Sequence, residues 1–249
     1  MKTKLVIKIG SSLILEKNSI NLKYLKDLVR QIAKLKKRGY QVVLVSSGAI
    51  VLGRKIGPLK KWPETLAGKQ ALAALGQPKL MNIYQKFFKK YGLSVAQILL
   101  TRDDIFSDRY LKVKNTLFTL LKKGVIPIIN ENDTTATEEI KFGDNDLLSA
   151  LLAVKIKANL LLLLSNVDGL YDKGGKVIKK IKKITPEIEK MVFPKKEKLT
   201  HGGMGSKIKA AQISLQANIP CLVANGRRKD ILLEILAGKA KGTRFVSLK

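Results

Sequence analysis

Short apolar runs alternate with stretches of helical period along the whole chain. Runs of strand length fall at Leu5 to Ile9, Gln41 to Val45, Ser94 to Leu100, Ile126 to Ile129, Leu160 to Leu164 and Pro220 to Ala224. Between the first two, Leu22, Leu25, Leu28, Val29, Ile32 and Leu35 recur at helical spacing, and Gly39 supplies a stop before the next strand. A second amphipathic helix is predicted through Lys69 to Leu75. A third runs from about Pro78 to Tyr91, with Leu80, Ile83, Tyr84, Phe87 and Phe88 on a core face. Such alternation predicts an α/β three-layer sandwich, a central and mostly parallel sheet with helices on both faces.

Composition narrows the class. A chain of 249 residues with 45% hydrophobic content buries a substantial core and is expected to form one domain. No run reaches the ~18 apolar residues that a membrane span needs, so no membrane partner is expected. The first residues, Met1 to Gly10, have a basic start, but Lys8 interrupts the apolar segment and no small-residue cleavage site follows; they read as a strand, not a signal peptide. The single cysteine, Cys221, has no internal disulfide partner and sits in a strand-like run, as an inert core thiol. A cytoplasmic location is expected.

The formal charge of +29 raises the question of nucleic-acid binding. Lysine supplies most of it, spread along the whole chain and not interleaved with the aromatics that stack on bases. No nucleic-acid partner is therefore expected, and the lysines read as solvated helix faces. The most lysine-rich segment, Lys173 to Lys198, contains Gly174-Gly175, Pro186 and Pro194 and predicts an exposed hairpin and helix.

Four loops carry the candidate chemistry. Lys8-Ile-Gly-Ser-Ser12 ends the first strand in a charge, a glycine that permits close backbone approach, and two hydroxyls. Ser46-Ser-Gly-Ala49 leads from a strand into a helix, presenting either free N–H groups to an anion or an ordinary N-cap. From Asn130 to Asp146, nine acidic or amide side chains fall within 17 residues; such a cluster suits metal or ammonium recognition, although Asp and Asn also serve in turns and caps. His201-Gly-Gly-Met-Gly-Ser-Lys207 opens a helix as a glycine-rich loop able to cradle phosphate, but its spacing is not that of a Walker A loop. In an open α/β sheet, loops beyond the carboxyl ends of the strands converge on one crevice.

Together these loops resemble the amino acid kinase family, and within it the glutamate 5-kinases, across essentially the whole chain. The resemblance rests on Lys8-Ile-Gly-Ser-Ser12, Ser46-Ser-Gly-Ala49, Gly68 to Gln77, Leu99-Leu-Thr-Arg102, Ile129-Asn-Glu-Asn-Asp133, Gly143-Asp-Asn-Asp146 and Gly202 to Lys207, which occur in the family's order. Aspartokinases carry paired glycines in the first loop, and isopentenyl phosphate kinases place a histidine where this chain has Ser47.

The resemblance implies transfer of a phosphoryl group from ATP, accompanied by Mg2+, to the side-chain carboxylate of glutamate. Another small-molecule kinase of the same family is the alternative. It also implies that Lys8 and Lys207 flank the phosphoryl group and that Asp146 orients them. Ser47, Gly48, Asp133 and Asn145 would bind glutamate. Lys8, Gly10, Ser165, Asn166 and the stretch His201, Gly202, Gly203, Met204, Gly205, Ser206 and Lys207 would contact ATP. Ser165-Asn166 stands where the family often has Thr-Asp, and His201 where a small hydroxyl residue is common. Residues 1–155 would form a glutamate-binding lobe and 156–249 an ATP-binding lobe, with no C-terminal RNA-modification-like PUA domain following. A homodimer or tetramer is implied, with glutamyl phosphate reductase as a functional partner.

Overall fold

The computed structural model describes residues 2–16, 19–56, 64–135, 145–192, 203–239 and 241–246. In chain order these form β1 (Lys4–Ile9), α1 (Ser11–Ile14), β2 (Leu15–Glu16), β3 (Ser19–Ile20), α2 (Leu22–Lys37), β4 (Gln41–Ser46), α3 (Ala49–Ile56), α4 (Leu66–Lys89) and β5 (Val95–Leu100). Then follow α5 (Arg102–Phe106), α6 (Arg109–Lys122), β6 (Ile126–Glu131), α7 (Asn145–Lys155), β7 (Leu160–Ser165) and β8 (Lys180–Ile181). The chain continues through α8 (Pro186–Val192), α9 (Met204–Gln216), β9 (Cys221–Asn225), α10 (Ile231–Leu236) and β10 (Thr243–Phe245).

Eight strands make one sheet in the order β5-β6-β4-β1-β7-β9-β10-β8, parallel throughout except where β10 runs antiparallel to β9. The six expected strands are its six central and edge members, each within about two residues of its predicted bounds. Helix α2 is capped by Asn21, whose side chain accepts the Tyr24 N–H, and ends before Gly39 at φ +86, the left-handed stop its position requires.

Strand period decides which residues meet. Leu5, Ile7, Ile9, Val42 and Leu44 face one core layer, shared with Leu25, Leu28 and Ile32 of α2 and Leu80, Tyr84 and Phe88 of α4. Val6, Val43 and Val45 face the other, with Leu148 and Leu152 of α7 and Ile208 and Ala211 of α9. Lys8 shares the parity of Val6. The same alternation that builds the second layer therefore sends a lysine toward the starts of α7 and α9.

Two helices expected on either side of Pro78 are one. Helix α4 runs from Leu66 to Lys89 with Pro78 inside it. A mid-helix proline forfeits an intrahelical hydrogen bond and costs about 3 kcal/mol. Burial of Leu72 and Ala73 before it and Leu80, Tyr84 and Phe88 after it, along one face of α4 in contact with its neighbours, offsets that cost. The contact is close because a Cβ at Gly76 would lie 1.8 Å from the Ala49 carbonyl oxygen, and one at Gly53 equally near the Leu72 carbonyl oxygen. Helices α3 and α4 thus meet backbone to backbone.

In the lysine-rich segment, Tyr171 bridges antiparallel to Val177 and α8 follows, while residues 193–198 lie outside the described residues. Cys221 is fully buried in β9, where burial and then Asp146 push its thiol up and leave it inert. No helix among the described residues is long and apolar enough to cross a membrane.

Candidate active site

The parallel register brings four strand ends level. Ile9 pairs with Ser46 and with Leu164, and Ser165 pairs with Asn225. The loops beyond them line a cavity of about 330 Å³ whose walls include Lys8, Gly10, Ser47, Gly48, Asp133, Asn145, Ser165, Asn166 and Lys207. Nine of the residues singled out from sequence are therefore brought to one place.

Its centre is charged. Asp146, in the first turn of α7, is fully buried between two lysines that are themselves only 4% and 3% exposed. Lys8 Nζ lies 2.6 Å from Asp146 Oδ1, and Lys207 Nζ lies 3.0 Å from Oδ2, which also accepts from Ser206 Oγ at 2.8 Å. Burial pushes the Asp146 carboxyl up, but Lys8 and Lys207 outweigh it and hold it at about 2. One carboxylate holds two ammonium groups at the cavity wall. The arrangement carries net positive charge, suited to the anionic oxygens of a phosphoryl group.

The other side is rich in amides and holds one carboxyl. Asn145 Nδ2 donates to Ser47 Oγ at 2.8 Å and to Asn130 Oδ1 at 2.9 Å, while Asn145 Oδ1 is buried with no hydrogen-bond partner among the described residues. A buried acceptor without a donor is costly, and a ligand donor would relieve it. Asp133 is half-buried nearby, and burial raises its carboxyl to about 6, a cost that a ligand cation would also relieve. Gly48, at φ +115, gives the turn that presents Ser47, a conformation L side chains avoid. Ser46 Oγ bonds the Tyr84 hydroxyl at 2.7 Å beneath it, tying the loop to α4.

In sequence the chain matches the amino acid kinase family over residues 3–225. It is 46% identical over 255 aligned positions to a glutamate 5-kinase of Thermoanaerobacter sp., covering 99% of this chain and 68% of that relative. It is 45% identical to a glutamate 5-kinase of Clostridium acetobutylicum, covering 98% of this chain and 94% of the relative. The chain belongs to the amino acid kinase family. Among solved structures, the carbamate kinase of Giardia lamblia bound to AMP-PNP superimposes with a TM-score of 0.68 over 99% of both chains at 19% identity, a likeness of fold.

The other expected site residues of this family member are placed as follows. Gly10 lines the cavity, but its N–H donates to the Leu164 carbonyl at 2.9 Å, so it contributes shape and not a donor. Ser165 is buried and Asn166 exposed at the mouth. Gly203 caps α9 in extended conformation, and Met204, Gly205 and Ser206 form its first turn; among the described residues of that loop, Lys207 lines the cavity. His201 and Gly202 lie outside the described residues, as does the Gly143-Asp144 part of the acidic loop. Sequence reasoning missed Ser11, Ser12, Lys69 and Asn130 as wall residues. Each fell inside a motif already noted, but only register and helix packing show which way it faces. Among the described residues, no group of three or more His, Cys, Asp or Glu side chains is placed to hold a metal ion.

Proposed function

We propose that the protein transfers the γ-phosphoryl group of ATP to the side-chain carboxylate of L-glutamate, giving L-glutamyl 5-phosphate, the first step of proline biosynthesis. The observation that carries this reading is the Lys8–Asp146–Lys207 bridge beside the open acceptors Asn145 and Asp133. The relatives that share over two-fifths of its residues along nearly its whole length are glutamate 5-kinases.

The glutamate carboxylate is ionised at neutral pH, so it attacks the γ-phosphorus without a general base. Its oxygen forms the new bond to phosphorus as the bond to the β,γ-bridging oxygen breaks, and ADP leaves with that electron pair. Lys8 and Lys207 neutralise charge on the transferring group, and Asp146 keeps both ammonium groups in place before substrate arrives. Ser47, Gly48, Asn145 and Asp133 hold the amino acid. Gly10, Ser165, Asn166 and the turn at Gly203 to Ser206, continuing from His201 and Gly202, hold the nucleotide. Mg2+ accompanies the ATP phosphates and keeps several waters, so it needs no protein cage.

Residues 1–155 then act as the glutamate lobe and 156–249 as the ATP lobe. The reading carries with it a cytoplasmic enzyme, a homodimer or tetramer, and delivery of the labile acyl phosphate to glutamyl phosphate reductase. A coupled ADP assay with hydroxylamine trapping tests it: glutamate-dependent ADP release with hydroxamate formation is expected, and no hydroxamate overturns it. The same assay with a panel of other carboxylates and phosphates separates the alternative, another small-molecule kinase of the family.

A further inference from the structure

Four side-chain amides run head to tail from the sheet edge to the cavity. Gln97 Oε1, on β5, accepts from Gln77 Nε2 at 3.0 Å; Gln77 Oε1 accepts from Asn130 Nδ2 at 3.0 Å; Asn130 Oδ1 accepts from Asn145 Nδ2 at 2.9 Å. An isolated amide can turn over and exchange its donor and acceptor ends. This chain has a fixed direction. Asn130 Oδ1 also accepts the backbone N–H of Glu131 at 3.0 Å, and a backbone N–H can only donate.

That anchor orients the rest. With Asn130 fixed, its amino group needs an acceptor inside the protein, which Gln77 Oε1 supplies, and Asn145 must turn its own amino group toward Asn130. Both amino protons of Asn145 are then used, on Asn130 and on Ser47. What Asn145 has left is an oxygen, buried and without a partner among the described residues.

We infer that Gln77 is a positioning residue that, together with the Glu131 N–H, holds the Asn130 amide and through it the hydrogen-bond polarity of Asn145, so that the site accepts a ligand donor, the α-ammonium, and discriminates against a dicarboxylate that lacks it. The inference rests on the glutamate reading of this cavity. Gln77 acts through Asn130: it is buried in α4 and lines not the main cavity but a second one of about 160 Å³, with Gln97 and Pro78, which borders the first at Asp133. Removing it leaves the buried Asn130 amino group unpaired, and Asn130 and Asn145 then relax to whatever arrangement satisfies them.

The test compares kcat/KM for glutamate and for glutarate, the same dicarboxylate without the ammonium, in the coupled ADP assay. In Gln77→Leu the glutamate-to-glutarate ratio is expected to fall about tenfold, through a higher glutamate KM, with kcat and the ATP KM within about twofold. Gln77→Glu keeps an acceptor for Asn130, and the exposed Gln97 can turn its amino end to meet it, so this variant is expected to restore the ratio to within about threefold. Gln97→Leu alters an exposed position and carries the test should Gln77→Leu fail to fold; a fall of about threefold is expected. A ratio unmoved in the folded variants, even with a lowered melting temperature, overturns the role of Gln77. A wild type that uses glutarate as well as glutamate overturns the selection for ammonium. A wild type with no glutamate-dependent ADP release overturns the glutamate reading itself.

Discussion

The two sides of the cavity solve opposite problems. On the phosphoryl side the buried carboxylate is compensated within the protein, with positive charge to spare: Asp146 meets both Lys8 and Lys207 and stays ionised down to about pH 2. On the amino-acid side the protein leaves its acceptors open, with Asn145 Oδ1 unpartnered among the described residues and Asp133 raised to about 6. The difference teaches where binding energy goes. Preorganised lysines act on charge that develops during transfer, whereas open acceptors gain their partner when the substrate docks.

The strongest way to break the comparison is to remove a lysine. Lys207→Ala or Lys8→Ala is expected to lower kcat on the order of 10² or more, with the glutamate KM within a few fold. Steady-state kinetics with a thermal melt would check it, and near-normal turnover in a folded variant would remove that lysine from the phosphoryl side. On the other side, Asp133→Ala is expected to raise the glutamate KM roughly tenfold or more with kcat nearly retained. An unchanged KM would make Asp133 a structural residue.

A third prediction reaches both sides through the scaffold. Gly76→Ala places a methyl against the Ala49 carbonyl, where backbone must move, and is expected to cost about 1–3 kcal/mol. Chemical denaturation reads this directly, and unchanged stability would show that α3 can shift freely from α4.

The smallest effects are those of pH. Because the folded Asp133 pKa lies above the usual carboxylate value, the ionised form that pairs with an ammonium is lost as pH falls through about 6. The glutamate KM should therefore be flat above that pH and rise below it, and Asp133→Asn should abolish the rise; KM measured between roughly pH 5 and 8 decides. Asp146 shifts the other way. Its contribution to stability is complete above the ordinary unfolded value near 4 and disappears as pH falls toward about 2, so acid unfolding should move to higher pH when its partner Lys8 is removed.

Much of this was written in local pattern. The six strands, the α2 helix with its Gly39 stop, and the lysines, serines and Asp/Asn residues at the strand ends follow from periodicity of two or 3.6 and from turn chemistry, which neighbouring residues determine. Pro78 misled for the same reason. Read locally it ends a helix, yet α4 continues because its two halves bury one continuous face.

The sequence by itself therefore determined the layered α/β fold, the loops that carry chemistry and the family. The tertiary structure decided the rest: that Lys8 and Lys207, 199 positions apart, share one carboxylate, that α3 and α4 touch at Gly53 and Gly76, and that Asn145 keeps an acceptor open. Strand register, helix packing and hydrogen-bond direction fix these features, and each depends on residues far apart in the chain.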